Sequence, residues 1–225
     1  MGDRQPDSVA VHGRVQTAAP SRPVSAAGTT ANCIAGAFSL LLFSRLKTWT
    51  PSAGFCWLFG VFNLMNSGDL VASAVTNSSD WANVIAGLSP PWLWRCILGL
   101  AGIILHVKSV NLAARLLIRR FASGETGLAD LARLTLPAYL AAGLVMTIAS
   151  IFNPIGPQLI LPSGVAPSFG LNAGLLWVRR IVPQRARTHS AATNAMPLSF
   201  FWIALALLLG GVFVAVLGPG IRFSH

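Results

Sequence analysis

The chain has 225 residues, 54% of them hydrophobic and only 10% charged, whereas an ordinary soluble domain is about 25% charged. A water-soluble fold of this size would have to expose large apolar patches, so the composition excludes an ordinary globular enzyme and points to an integral membrane protein. The balance of 16 Lys+Arg against 6 Asp+Glu gives a net charge of +10. The arginines stand in short stretches between apolar runs, where they act as topology signals beside anionic lipid headgroups, not as a nucleic-acid surface.

Residues 1–25 are polar and aperiodic and are expected to form a disordered tail. Asp3, Asp7 and the late start of the first apolar run argue against a cleaved signal peptide. That run spans Ala26–Ser44 and is closed by Arg45 and Lys47. The second, Ala53–Val75, carries Asn63, Asn66, Ser67 and Asp69 in its second half. Thr76–Pro91 is polar and turn-rich, and Trp81, Trp92 and Trp94 fit an interfacial aromatic belt. The third run, Trp92–Leu117, has Arg95 at its mouth, placed to snorkel, and turns amphipathic through Lys108, Arg115, Arg119 and Arg120.

The fourth run is Leu134–Asn153, with Pro137 expected in its first turn, and it stops at Asn153-Pro154-Ile155-Gly156-Pro157. The fifth, Gly164–Val182, is interrupted by Pro167, Gly170, Asn172 and Gly174 and ends at Arg179 and Arg180. The sixth, Leu198–Leu217, is almost purely apolar, and its Gly210-Gly211 pair suits close helix packing. The expected fold is all-α and polytopic, with about six transmembrane helices over residues 26–218 and a short tail at 219–225.

Loop charges set an expected orientation. Eleven basic residues fall in three alternate stretches: Arg45 and Lys47; Lys108, Arg115, Arg119, Arg120 and Arg133; Arg179, Arg180, Arg185 and Arg187. Stretches 76–91 and 154–163 carry none. The loops at 45–47, 108–133 and 179–187 are therefore expected in the cytoplasm of a bacterial inner membrane. That arrangement leaves the tail, with Arg4, Arg14 and Arg22, outside. Either the first run does not span, or another helix belongs before it.

The chemistry-bearing residues are sparse. Glu125 is the one glutamate and lies between Gly124 and Gly127, so no HExxH exists. His12, His106, His189 and His225 include no pair at metal-ligand spacing, and His106 reads as an interfacial residue near the cytoplasmic end of the third run. Cys33, Cys56 and Cys96 read as reduced thiols. Asp69 is the one carboxylate within a spanning run, where a charge costs about 2.5–3.5 kcal/mol, so it should face protein or water and have a partner. Asn63 and Asn66 share its helix, Asn66 and Asp69 form an i,i+3 pair, and Arg95 could approach the same side. Asn63, Asn66, Asp69 and Asn153 form the candidate intramembrane polar site. It serves either a metal, proton or substrate contact or a polar contact that holds helices together. No catalytic residue and no metal ligand is assigned.

The segments Trp57–Leu70, Pro91–Arg95, Phe152–Gly156 and Ser168–Trp177 resemble a group of bacterial membrane proteins similar to the M50-type, site-2-protease-like intramembrane zinc metalloproteases. That group carries HExxH on an early membrane helix, with a later aspartate in an Asn…Asp-Gly segment as third zinc ligand. Only Asn63 and Asp69 could correspond, Leu70 stands where the glycine would be, and the HExxH helix is absent. The resemblance implies a non-catalytic or truncated relative, with zinc only if a missing N-terminal helix supplies HExxH. From another class comes the alternative of a small transporter or channel subunit using Asp69 and the broken helices at 153–174. The expected partners are the bilayer, its anionic headgroups and other membrane helices.

Overall fold

The computed structural model describes residues 22–121, 128–152, 160–181 and 200–217, and every regular element among them is helical. Helix α1 is Arg22–Arg45, α2 Pro51–Met65, α3 Gly68–Thr76, α4 Asp80–Ile85, α5 Pro91–Phe121 and α6 Leu128–Ile151. A wide-turn π segment, Ile160–Gly170, passes through a 3₁₀ turn, Leu171–Ala173, into α7, Gly174–Ile181. Helix α8, Phe200–Val212, ends in a second π turn, Phe213–Leu217.

Four of these stretches are long and apolar enough to cross a membrane: Arg22–Arg45, Pro51–Thr76, Pro91–Arg120 and Leu134–Ile151. Two shorter apolar helices, Gly164–Val178 and Phe200–Val216, correspond to the fifth and sixth runs. Their shortness has a local cause in the fifth run, where Pro167 lies within the π segment and the winding changes at Gly170.

Helix boundaries differ from the apolar runs where polar residues still favour helix. Helix α1 begins at Arg22, ahead of Ala26. The turn-rich stretch 76–91 contains the short helix α4. Helix α6 begins at Leu128, so Pro137 lies inside the helix and not in its first turn; it removes one main-chain donor there.

Local signals explain the turns. Thr50 is extended (φ −127°, ψ 163°) and its hydroxyl accepts from the Ala53 amide at 3.2 Å, with Pro51 opening α2. Asn77 ends α3 in the left-handed region (φ 53°, ψ 36°) and donates its amide to the Ser73 carbonyl at 3.0 Å. Between α2 and α3 the second run does not stop but tightens. Ser67 donates to Leu64 at 3.1 Å, Asp69 to Asn66 at 2.9 Å and Leu70 to Ser67 at 3.2 Å, all i to i−3 bonds.

The core lies between α1, α2, α5 and α7. Leu40, Phe43, Trp57, Val61, Met65, Ala113, Ala114, Leu117, Leu175 and Val178 are all at most 2% exposed. Close packing and hydrogen bonds join these helices. Helices α1 and α2 touch through Gly36 and Gly60: a Cβ on Gly36 would stand 2.9 Å from the Gly60 carbonyl oxygen. Gly102 does the same for α5 against α3, where a Cβ would stand 2.9 Å from the Leu70 Cβ.

Two arginines of α5 cap other helices. Arg95 donates Nε to the Ala74 carbonyl and Nη2 to the Val75 carbonyl, both at 2.8 Å, closing α3. Arg120 donates to Phe43 at 3.3 Å and to Leu46, closing α1, with its guanidinium 5.2 Å from the Phe43 ring centroid. A cation at a helix C-terminus satisfies orphan carbonyls and opposes the dipole there.

Candidate functional site

The polar residues of the second run divide on either side of the α2–α3 tightening. Asp69 lies in the first turn of α3, half-buried. Ser79 donates to its Oδ1 at 3.3 Å, and Thr29 of α1 supplies a second side-chain hydrogen bond. Thr29 in turn accepts from the Trp81 indole at 3.0 Å, and Ser73 and Ser79 share a hydrogen bond. Asp69 is thus tied to α1 and to the start of α4 through hydroxyls. Arg95 approaches the same end of the molecule but gives its donors to the α3 carbonyls. Asn63 does not join the cluster, because its amide turns back to the Phe59 carbonyl at 2.8 Å. Asn66 sits at the tightening itself, where its carbonyl accepts from the Asp69 amide. Asn153 lies outside the described residues.

The residue before Asp69 faces a different centre. A Cβ on Gly68 would stand 2.8 Å from Leu171 Cδ2 and 3.5 Å from His106 Nδ1. On the far side of the imidazole, a Cβ on Gly174 would stand 3.0 Å from His106 Nε2 and 3.0 Å from Met65 Cε. His106 is therefore seated between two glycines, one at each interruption: the α2–α3 tightening and the 3₁₀ turn before α7. The Met65 main chain is a polar partner of the imidazole, and Nδ1 makes no hydrogen bond. Ser67 Oγ, at the same tightening, is buried and also without a partner. His106 stands at the sixteenth position of the 31-residue α5, with Leu98 and Leu117 buried on either side. It is half-buried, seated in the packing between helices.

The second interruption is internally satisfied. Ser168 donates to the Gly164 carbonyl, Asn172 to the Ser168 carbonyl at 2.9 Å, and Tyr139 of α6 to the Phe169 carbonyl at 3.2 Å. Side chains thus take up carbonyls that altered winding leaves open, as burial away from water requires. The Tyr139 and Phe169 rings pack edge-on with centroids 5.5 Å apart, and Gly143 leaves the room that the Phe169 ring fills. Beside His106, between α5 and α7, lies a groove of about 320 Å³.

Fold and site together define an all-helical protein with four helices able to cross a membrane and two interrupted helices meeting at a histidine. No family model, no curated protein and no solved structure matches the chain. None of these comparisons links it to the M50-type metalloproteases. Among the described residues, no three His, Cys, Asp or Glu side chains stand close enough to hold a metal ion.

Proposed function

We propose that this chain is a multi-pass protein of a bacterial cytoplasmic membrane and works as a small transporter or channel subunit. Its centre is the crossing of the two interrupted spans. The observation that carries this reading is the contact of Gly68 with Leu171 and His106. Discontinuous helices paired near the middle of a membrane recur in transporters, because altered winding places polar groups and backbone at depth without exposing them to lipid. Asp69, with its hydroxyl partners, lies on one side of the crossing, and His106 and Ser67 supply polar atoms at it.

Six crossings follow if Gly164–Val178 and Phe200–Val216 also span, with short segments accommodated by local thinning of the bilayer. The surface supports insertion: Phe200 is 84% and Leu207 72% exposed, and α8 buries no residue. Basic stretches at 45–47, 108–133 and 179–187 then face the cytoplasm against anionic headgroups. Reporter fusions near Arg120 and Arg185 should read as cytoplasmic and those near Ser79 and Ser163 as external. A cytoplasmic signal at both Ser79 and Arg120 would contradict this orientation.

The transport reading is tested in proteoliposomes loaded with fluorescent indicators for protons, sodium or potassium, under an imposed potential. At least one ion should move several-fold faster than in empty liposomes, and Asp69→Asn should reduce that rate. Fluxes of all three ions equal to those of empty liposomes would overturn it.

A further inference from the structure

We infer that the basic end of the molecule binds the phosphate of one anionic membrane lipid, in a cleft between α1 and α5. The inference rests on the membrane part of the reading above and not on transport, because the cleft is separate from the crossing. It measures about 210 Å³ and is lined by Phe43 and Ser44 of α1 and by Leu116, Arg119 and Arg120 of α5. Sites that enclose a whole small molecule measure about 300–1,000 Å³. The smaller cleft suits a headgroup phosphate whose chains stay outside.

The charges select an anion. Arg120 is anchored, since it donates to the Phe43 and Leu46 carbonyls and lies over the Phe43 ring. It thereby covers the carbonyl end of α1, which by itself repels an anion. Arg119 beside it is exposed and makes no hydrogen bond or ion pair among the described residues. Its guanidinium is the group left to hold a ligand, and the planar fork matches two phosphate oxygens. Arg45 and Lys47, just past Ser44, and Arg115, one turn before Arg119, add positive charge. The Ser44 hydroxyl donates to the Leu41 carbonyl at 2.6 Å, so Ser44 bounds the cleft and leaves the phosphate to the arginines.

The surroundings select a lipid. Leu41 and Ile34 precede Ser44 along α1, and Leu112 and Leu105 stand seven and fourteen positions before Arg119, on its face of α5. All four are exposed. The C-terminal ends of α1 and α5 meet where Arg120 reaches Phe43 and Leu46. Both apolar tracks therefore lead away from the cleft in the same sense, into the bilayer. Free phosphate would use the arginines alone, whereas a lipid also lays its acyl chains along these tracks.

The full chain in detergent micelles is titrated with dioleoyl phosphatidylglycerol or with zwitterionic dioleoyl phosphatidylcholine, and native mass spectrometry counts the lipids retained. One phosphatidylglycerol should bind first and saturate, about tenfold tighter than phosphatidylcholine, as one charge-assisted hydrogen bond provides. Arg119→Gln should abolish that preference. Arg180→Gln makes the same change of charge on α7, away from the cleft, and should leave it unchanged. Ser44→Phe narrows the cleft while keeping every cation, and should weaken binding at least about fivefold. An excess of glycerophosphoglycerol, the same headgroup without chains, should leave the lipid bound. Its displacement would make a soluble phosphate ester the occupant and overturn the lipid assignment. Equal affinity for the two lipids would overturn the site. So would equal losses in folded Arg119→Gln and Arg180→Gln, since a diffuse surface charge treats both arginines alike. Ion flux plays no part in the assay, so absent flux with intact binding would remove only the transport reading.

Discussion

The indole of Trp57 on α2 donates to the Ala113 carbonyl on α5 at 3.2 Å, and both residues are at most 1% exposed. The bond fixes the rotation of α2 against α5, and with it the position of the tightening that follows Met65. Trp57→Ala should lower stability by about 3–5 kcal/mol through the cavity it leaves. Trp57→Phe keeps most of the packing and should lose about 0.5–1.5 kcal/mol for the hydrogen bond, plus a smaller packing loss. Thermal unfolding of the detergent-solubilised variants checks the order. Equal midpoints for Trp57→Ala and the unaltered chain would mean that α2 and α5 do not meet in this way.

Gly36 and Gly28 lie on the same helix and should respond oppositely to one added methyl group. At Gly36 the new Cβ would press on the Gly60 carbonyl and on Leu64, so Gly36→Ala should cost about 1–3 kcal/mol. At Gly28 nothing lies within 4 Å, and alanine should gain up to about 1 kcal/mol from helix propensity. The same thermal assay reads both signs, and a stabilising Gly36→Ala would deny the α1–α2 contact.

Asp69→Leu removes the acceptor of Ser79 and Thr29 and should cost about 1–3 kcal/mol for the stranded hydroxyls. Asp80, exposed at the start of α4, should cost at most about 1 kcal/mol when changed to leucine, the value of an acidic residue at a helix N-terminus. Identical losses at the two positions would place Asp69 in water.

How far these relationships were legible in the sequence depends on their range. The helical class and the four longest apolar stretches follow from composition and run length alone. The partner that Asp69 required was also foreseen, but not its identity. Asn66, three positions earlier, meets Asp69 through its main-chain carbonyl, which accepts the Asp69 amide. The hydroxyl of Thr29, forty positions earlier, takes the side-chain place because α4 packs on α1. Arg95 read as a headgroup contact, because nothing local shows that α3 ends beside it with two open carbonyls. The packing around His106 was hidden for a similar reason. Lys108 and Arg115 mark the following turns as polar, whereas the glycines that seat the imidazole come from two other segments. Of the two glycines, the sequence marked only Gly174, in the interrupted fifth run.

The crossing of the two interrupted spans is tested most directly by a disulfide. A Cβ built on Gly68 would lie 3.7 Å from the Leu171 Cβ, within the range of about 3.5–4.5 Å that a disulfide requires. In a chain with Cys33, Cys56 and Cys96 replaced, the pair Gly68→Cys and Leu171→Cys should close on mild oxidation in native membranes. Mass spectrometry would show the linked peptides. The pair Ala74→Cys and Gly99→Cys, whose Cβ separation would be 3.4 Å, serves as the positive control across α3 and α5. Near-complete linkage of both pairs is the expected result. Linkage of the control with none between positions 68 and 171 would mean that the interrupted spans do not meet.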